Sequence, residues 1–508
     1  MVQTVICGFA GVAALSNAGG CPFSALGMSD SRTGAAEPSK GAVRLGRTPL
    51  RFPAAPLSRL GPELAAIALL CPIFLFAALW NGFPIVFFDT GAYVLEGFAH
   101  VFVAERSAVY SLFLAYLGGR ESLWFVAVAQ CLITAFAVTE FARAVRPRTG
   151  LWELLSIGAA LVLFTSVSWY AGQIEPDCMT AVLALALYVL AFHLRHLGWV
   201  RAGLLVGVAA FAIAAHPSHL GLAAGLVLCI GVVKIATLLF RRVDLPKTHL
   251  ALPALSFALA LGLVFAANYS LTHKLFISRS GSIFLMARLM GDGIVKPTLD
   301  RICPTEHLRL CAYKDHLPRT ADDFLWGAES PFNKLGRFKG MEKEAPRIVA
   351  ASLARYPLAS LGTGLFGAFR QFWMFRTGDG VTPQQWVLDP EFKNFMPVQY
   401  KDYLGARQQR GILRFVAVNV VHYPLALLAM VWLGLVLRGA VARRKWHRAS
   451  LPAFVFLALI GNALVCGLFS GPHDRYQARL IWVPAFVLLL TERGNLALAL
   501  RRAVESGT

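Results

Sequence analysis

The chain has 508 residues, 57% hydrophobic and 15% charged, with a mean hydropathy of +0.59 and a formal net charge of +20. So little charge excludes a soluble protein of this length, and continuous rather than alternating apolar runs argue against a membrane β-barrel. The basic residues gather in short segments between apolar runs, so the positive balance reports topology and contact with anionic lipid, and nucleic acid is not expected as a partner.

The fold class expected is all-α: a polytopic membrane protein of about 10 transmembrane helices. Residues 1–60 are expected to form a disordered cytoplasmic tail. Ser, Gly, Ala and Pro dominate from Ser16 to Pro56, and Arg44, Arg47, Arg51 and Arg59 approach the membrane. The apolar stretch Val5–Leu15 lacks a basic flank and is too short to span. Met28 is a second candidate translation start; detection of residues 2–27 in the mature protein would exclude it.

A transmembrane core, 61–270, is expected to hold spans one to seven at about 62–82, 121–143, 150–171, 178–195, 201–216, 219–240 and 250–270. Spans eight to ten fall at about 413–438, 449–470 and 477–493, and 494–508 forms a second cytoplasmic tail. Arg143, Arg146 and Arg148, then Arg195 and Arg201, then Arg241, Arg242 and Lys247, then Arg438, Arg443, Arg444, Lys445 and Arg448 fill connectors on one side. The short connectors on the other side carry only Arg106, Arg120 and Arg475. That asymmetry puts both termini in the cytoplasm; Arg in excess of Lys and abundant Ala fit a GC-rich bacterial genome, so a bacterial inner membrane is expected.

Connector 83–120 is too long for a turn and partly apolar, so juxtamembrane helices on the outer surface are expected there. Segment 271–412 is the one large insertion, expected outside the cytoplasm. Within it 346–375 is apolar but broken by Arg355, Pro357 and Arg370, which reads as an interfacial or re-entrant helix pair. Cys303 and Cys311 share this insertion, where a disulfide can persist; the alternative is two free thiols. Cys71, Cys131, Cys229 and Cys466 lie in apolar runs and read as small core residues.

Ionisable residues at the ends of spans are the candidates for function. Asp89 follows the very apolar Phe83-Pro-Ile-Val-Phe-Phe88; burial there would favour a general base, while an Asp before Thr90-Gly91 is also an ordinary helix cap. Glu175-Pro176-Asp177 joins spans three and four. Asp177 suits a cap, and Glu175 is harder to explain that way. The pair suits sugar hydroxyls or a divalent metal. His216-Pro217-Ser218-His219 offers two further metal donors, or a hydrogen-bonded turn, at a spacing that matches no specific metal motif. Arg475-Tyr476 in the last outer loop suits a phosphate or a membrane anchor, and Arg106 is a second phosphate candidate.

Taken together, these pieces resemble the GT-C superfamily of integral-membrane glycosyltransferases, over about residues 60–270 and again around 413–493. The likeness rests on Asp89 soon after span one, on Arg106-Ser-Ala-Val-Tyr110, on the Glu175-Pro176-Asp177 turn and on the polar break at His216-Pro217. The resemblance implies a polyprenyl-phosphate-linked sugar as donor, an envelope glycan, lipid or protein as acceptor, and transfer at the outer membrane face. It gives Asp89 the role of catalytic base or substrate positioner, leaves the donor phosphate to Arg475 and Arg106, and leaves sugar hydroxyls or a metal to Glu175 and Asp177. This chain departs from the family in having a single first-loop Asp and in carrying its insertion between spans seven and eight. Segment 284–326, with Phe284-Leu-Met-Ala-Arg288 and Cys303-Pro304, resembles uncharacterised bacterial membrane proteins instead. The rival readings are a lipid or solute transporter, and a non-catalytic envelope-assembly protein. No internal repeat favours the transporter, and Lys234 is the one charge in mid-span.

Overall fold

A computed structural model describes residues 60–492 except 241, 242 and 244, so both expected tails and Met28 lie outside the described residues. Within them the chain is helical throughout and has no strand. Six helices are long and apolar enough to cross a membrane. The first is built from α1 (Leu60–Phe74) and α2 (Phe76–Asn81).

Two short helices follow in the first connector, α3 (Thr90–Ala99) and α4 (Ala108–Tyr116). They cross closely at Gly97, where a Cβ would collide with the Ser111 carbonyl. The second long helix is α5 (Leu123–Val145), started by Ser122, whose side chain accepts from the Trp124 N–H. Then come α6 (Leu151–Phe164), α7 (Val167–Ala171), a 3-10 turn at Pro176–Cys178, α8 (Met179–Phe192) and α9 (Trp199–Ala214). The helices at spans three to five are apolar but shorter, at 14 residues for Leu151–Phe164 and 16 for Trp199–Ala214. The long helices α10 (Pro217–Leu239) and α11 (Ala251–Thr272) complete this half.

The insertion falls into two parts. Helices α12 (Gly281–Gly291), α13 (Val295–Ile302), α14 (Ala321–Trp326), α15 (Pro331–Lys334), α16 (Arg337–Met341) and α17 (Glu344–Arg355) gather around their own core of Ile283, Leu299, Phe324, Phe332 and Ile348. We call this the lobe. Cys303 and Cys311 are disulfide-bonded within it. Then α18 (Pro357–Trp373) follows α17 across a break at Tyr356, the expected helix pair. Helices α19 (Gln385–Phe395) and α20 (Pro397–Gly405) instead return Leu388, Phe392 and Tyr403 to the main core.

Two long helices, α21 (Phe415–Ala442) and α22 (Trp446–Phe469), come next, then α23 (Asp474–Ala478) and a helix over 482–492. On α21, Val420, Leu428 and Leu435 are each at least 60% exposed, so its outward face is apolar where a soluble protein would present charge. Cys71, Cys131 and Cys466 are buried as expected of core residues; Cys229 is only partly so.

Charges collect at the two ends of the bundle. At one end Glu63, at the start of α1, is paired with Arg143 and lies 3.3 Å from Arg201, which also holds Glu140 at 2.7 Å. This network ties α1, α5 and α9 together. The other end holds Asp89, Glu175, His216 and Arg475.

Candidate functional site

The site begins with a backbone splice. Ile85 donates its N–H to the Gly172 carbonyl at 3.0 Å and accepts from the Ile174 N–H at 2.8 Å. This isolated parallel bridge lays the stretch after α2 against the one after α7. Gln408, from beyond α20, clamps Val86 from the other side, donating to its carbonyl at 2.7 Å and accepting from its N–H at 3.0 Å. Asp89 and Glu175 are thereby held on neighbouring segments.

Asp89 occupies the N-cap position of α3 but makes no capping bond, so the cap expected from residue type is not formed. Thr90 takes over locally: its hydroxyl accepts from the Phe87 N–H at 2.9 Å and reaches the Ile174 carbonyl at 3.1 Å and Glu175 Oε1 at 3.3 Å. The Asp89 carboxylate is then available to cations. Oδ1 is paired with Arg106, and Oδ2 accepts from Arg475 Nη2 at 3.3 Å. Burial raises this carboxyl, but the Arg106 and Arg475 charges outweigh it and hold it below the usual carboxylate range.

Each arginine is positioned by its own loop. The turn before Arg106 is held by Glu96, which accepts from the Val103 N–H at 3.0 Å and from Ser111 Oγ at 2.6 Å. Ser107 Oγ donates to the Ala214 carbonyl at 2.8 Å, fastening the same turn to the end of α9. Arg475 donates its N–H to Asp379 at 3.2 Å and lays its guanidinium 4.2 Å from the Phe87 ring centroid and 5.0 Å from that of Tyr476. Asp379 lies between Gly378 and Gly380, both at positive φ. At Gly380 a Cβ would drive into the Phe87 ring.

Glu175 is 2% exposed and, among the described residues, makes no ion pair. Burial first, then the neighbouring Asp89 charge, pushes its carboxyl well above the usual range. Asp177 does not cap the next helix; its Oδ1 accepts from Arg479 Nη1 at 2.7 Å. Arg479 is fully buried and also donates to Ser218 Oγ at 3.0 Å and Asn462 Oδ1 at 3.1 Å. His216 forms the hydrogen-bonded turn: its Nδ1 accepts from the Ser218 N–H at 3.1 Å as the cap of α10. Burial, then His219 and Arg479, holds its ring well below the usual range and therefore neutral.

Of the expected residues, Asp89, Arg106 and Arg475 are in direct contact. Glu175 adjoins them through Thr90, and Tyr476 lines the floor under Arg475. Asp177 and His216 belong to a second set around Arg479. Sequence reasoning missed Arg479 as a site residue, although a charge one turn after Arg475 at the mouth of an apolar run was a signal. It also missed Asp379, whose Gly-Asp-Gly setting marks a tight turn.

Three guanidiniums, those of Arg106, Arg475 and Arg479, share the site with the Asp89, Asp177 and Asp379 carboxylates and with Glu175, whose surroundings favour its neutral form. What favours an added anion is the set of arginine N–H groups left over. Arg106 Nε and Arg475 Nη1 are buried without a hydrogen-bond partner, and such donors are costly to leave unmade. Among the described residues no group of three or more His, Cys, Asp or Glu stands together as a ready-made metal site, and the Asp89 and Asp177 carboxylates face arginines. A narrow cleft opens beside Arg106, between Ser107 and Val109 on one side and Pro217, Leu220, Val264 and Phe276 on the other. No protein-family model, curated protein or solved structure matches this chain.

Proposed function

We propose that this chain is a membrane glycosyltransferase of the GT-C type. It moves a sugar from a polyprenyl-phosphate donor to an envelope glycan, lipid or protein acceptor at the periplasmic face of a bacterial inner membrane. The observation that carries the reading is the clamp on Asp89: two arginines hold one carboxylate, and each keeps an unpaired buried N–H for an anion. The cleft beside Arg106 is part apolar, with Val109, Leu220, Val264 and Phe276, and part polar, with Ser107, Asn268 and Ser278, which suits the junction of a lipid tail and its phosphate. The reading takes ten crossings with both termini cytoplasmic, the Glu63 network lying at one end of the bundle and the Asp89 cluster at the other.

In this reading the donor phosphodiester lies on Arg106 and Arg475 and shares the guanidiniums now committed to Asp89. Loss of that pairing raises the proton affinity of Asp89 as the donor binds. The acceptor oxygen attacks the anomeric carbon and its proton passes to Asp89. The bond from that carbon to the phosphate oxygen breaks, and its electron pair leaves on the lipid phosphate, whose growing charge the two guanidiniums take up. Glu175, with its carboxyl neutral, donates a hydrogen bond to a sugar hydroxyl. The paired ionisable groups stand at one end of the bundle, where a transporter would place them near mid-membrane.

The test is sugar transfer in membranes from a panel of polyprenyl-phosphate sugars, with Asp89→Asn at matched expression. Transfer by the wild type and its loss in the variant is the expected result. Equal transfer by both would remove Asp89 as the base.

A further inference from the structure

A short helix carries the lobe to the arginine loops. Asp322 and Trp326 stand one turn apart on α14 and so share a face. Asp322 Oδ2 lies 3.3 Å from His473 Nε2, and the Trp326 ring centroid lies 6.0 Å from the Arg106 guanidinium. His473 is two residues before Arg475. Its N–H donates to Gln371 at 2.9 Å, and its carbonyl accepts from the same side chain at 2.8 Å. Its ring also comes within 3.9 Å of Asp379, the carboxylate that holds the Arg475 N–H. One face of α14 therefore touches both loops that deliver arginines to Asp89.

The opposite side of α14 is fixed. Phe324 and Leu325 are buried in the lobe core, and Thr320 caps the helix by accepting from the Asp323 N–H at 3.0 Å. Trp326 is 45% exposed, with Arg337 also lying 5.6 Å from its ring. Trp326 packs on Phe338 of the lobe core, ring centroids 6.0 Å apart, and the exposed remainder of its ring is what meets Arg106.

We propose that α14 is the roof of the anion site, and that Trp326 and Asp322 are positioning residues acting through Arg106 and through the His473–Arg475 turn. The lobe thus sets the affinity for a phosphodiester that the bundle alone would hold loosely. This rests on the reading of Arg106 and Arg475 as the phosphate site.

The experiment uses the full chain in lipid nanodiscs and two readouts. The first is the affinity for farnesyl methyl phosphate, a sugar-free phosphodiester of constant charge. The second is amide hydrogen exchange at 103–108 and 473–479. Trp326→Ala and Asp322→Asn should each weaken the probe about fivefold or more at an unchanged melting temperature. Exchange should rise at 103–108 in the first and at 473–479 in the second. Trp326→Phe should recover part of the affinity, and Lys296→Ala, elsewhere on the lobe, should match the wild type. Wild-type affinity and exchange in both roof variants would overturn the proposal. If the wild type itself fails to bind the probe, the phosphate reading falls, and exchange alone decides the roof: no change in either loop overturns it.

Discussion

Asp89 and Arg475 stand 386 positions apart in the chain and meet at 3.3 Å, with Arg106 on the other oxygen of the same carboxylate. The loop after α2 and the loop after α22 are closed on each other by this contact. Replacing Arg475 by Lys keeps the charge but loses the planar fork and the stacking on Phe87. Charge-assisted hydrogen bonds of this kind are worth about 1.5–3 kcal/mol, so transfer should fall about 10- to 100-fold. The check is the initial rate of transfer in membranes at matched expression. A rate within a factor of two of wild type would show that charge alone suffices.

Gly380 predicts a subtler defect. Its positive φ and the Phe87 ring at its α-carbon leave no room for a side chain. Gly380→Ala should displace Phe87, and with it the surface on which Arg475 rests. The left-handed backbone alone costs an alanine about 1–2 kcal/mol. A lowered melting temperature with a larger proportional loss of transfer is expected. The same change at the unconstrained Gly207, inside α9, should leave transfer unchanged and should not lower the melting temperature.

Much of this architecture was legible in the sequence, because apolar run length and basic connectors are direct consequences of bilayer thickness and insertion. The connector helices α3 and α4, the helix pair broken before Pro357 and the joint placement of Asp89, Arg106 and Arg475 at one end all followed from those signals. The capping roles of Asp89 and Asp177 did not survive, because local propensity lost to long-range ion pairs that no local pattern encodes. Nor did sequence reveal the division of the insertion. The return of Leu388 and Phe392 to the main core depends on contacts hundreds of residues away, and the glutamine clamp on Val86 spans 322 positions.

Glu96 gives the molecule a pH signature. Burial is the main cause that raises its carboxyl to about 7, against 4.5 for a free glutamate. The folded state therefore holds the proton more tightly than the unfolded one. Stability from this group is complete below about pH 4.5, declines as pH rises to about 7, and is flat above; the whole change is about 3 kcal/mol. Glu96→Gln keeps an acceptor for Val103 without a titrating proton. The variant should melt higher than wild type at pH 8 and similarly at pH 4.5. Parallel melting curves across that range would remove Glu96 as the source.

The Cys303–Cys311 bond closes a short loop in the lobe. Replacing both by Ser should cost the lobe about 2–3 kcal/mol by the loop-entropy account. The loss should be local, seen as faster exchange in 295–313 with little change in α5 or α8. Uniform loosening of the whole chain would mean that the lobe and the bundle unfold together.

Arg479 and Asp177 form an ion pair with 0% and 2% of their side chains exposed, beneath the Asp89 cluster. Removing one partner leaves a buried charge alone, at a cost of about 3–5 kcal/mol. Arg479→Met should therefore impair folding and expression severely. The paired change Arg479→Met with Asp177→Leu removes both charges and should recover most of the lost stability. If the pair is only a structural tie, the double variant should also regain transfer. If it also shapes the field around Glu175 and Arg475, the double variant should fold and transfer poorly. Stability and transfer measured on the same preparations separate the two roles, since Ser218 and Asn462 remain to pair with each other or with water in either case.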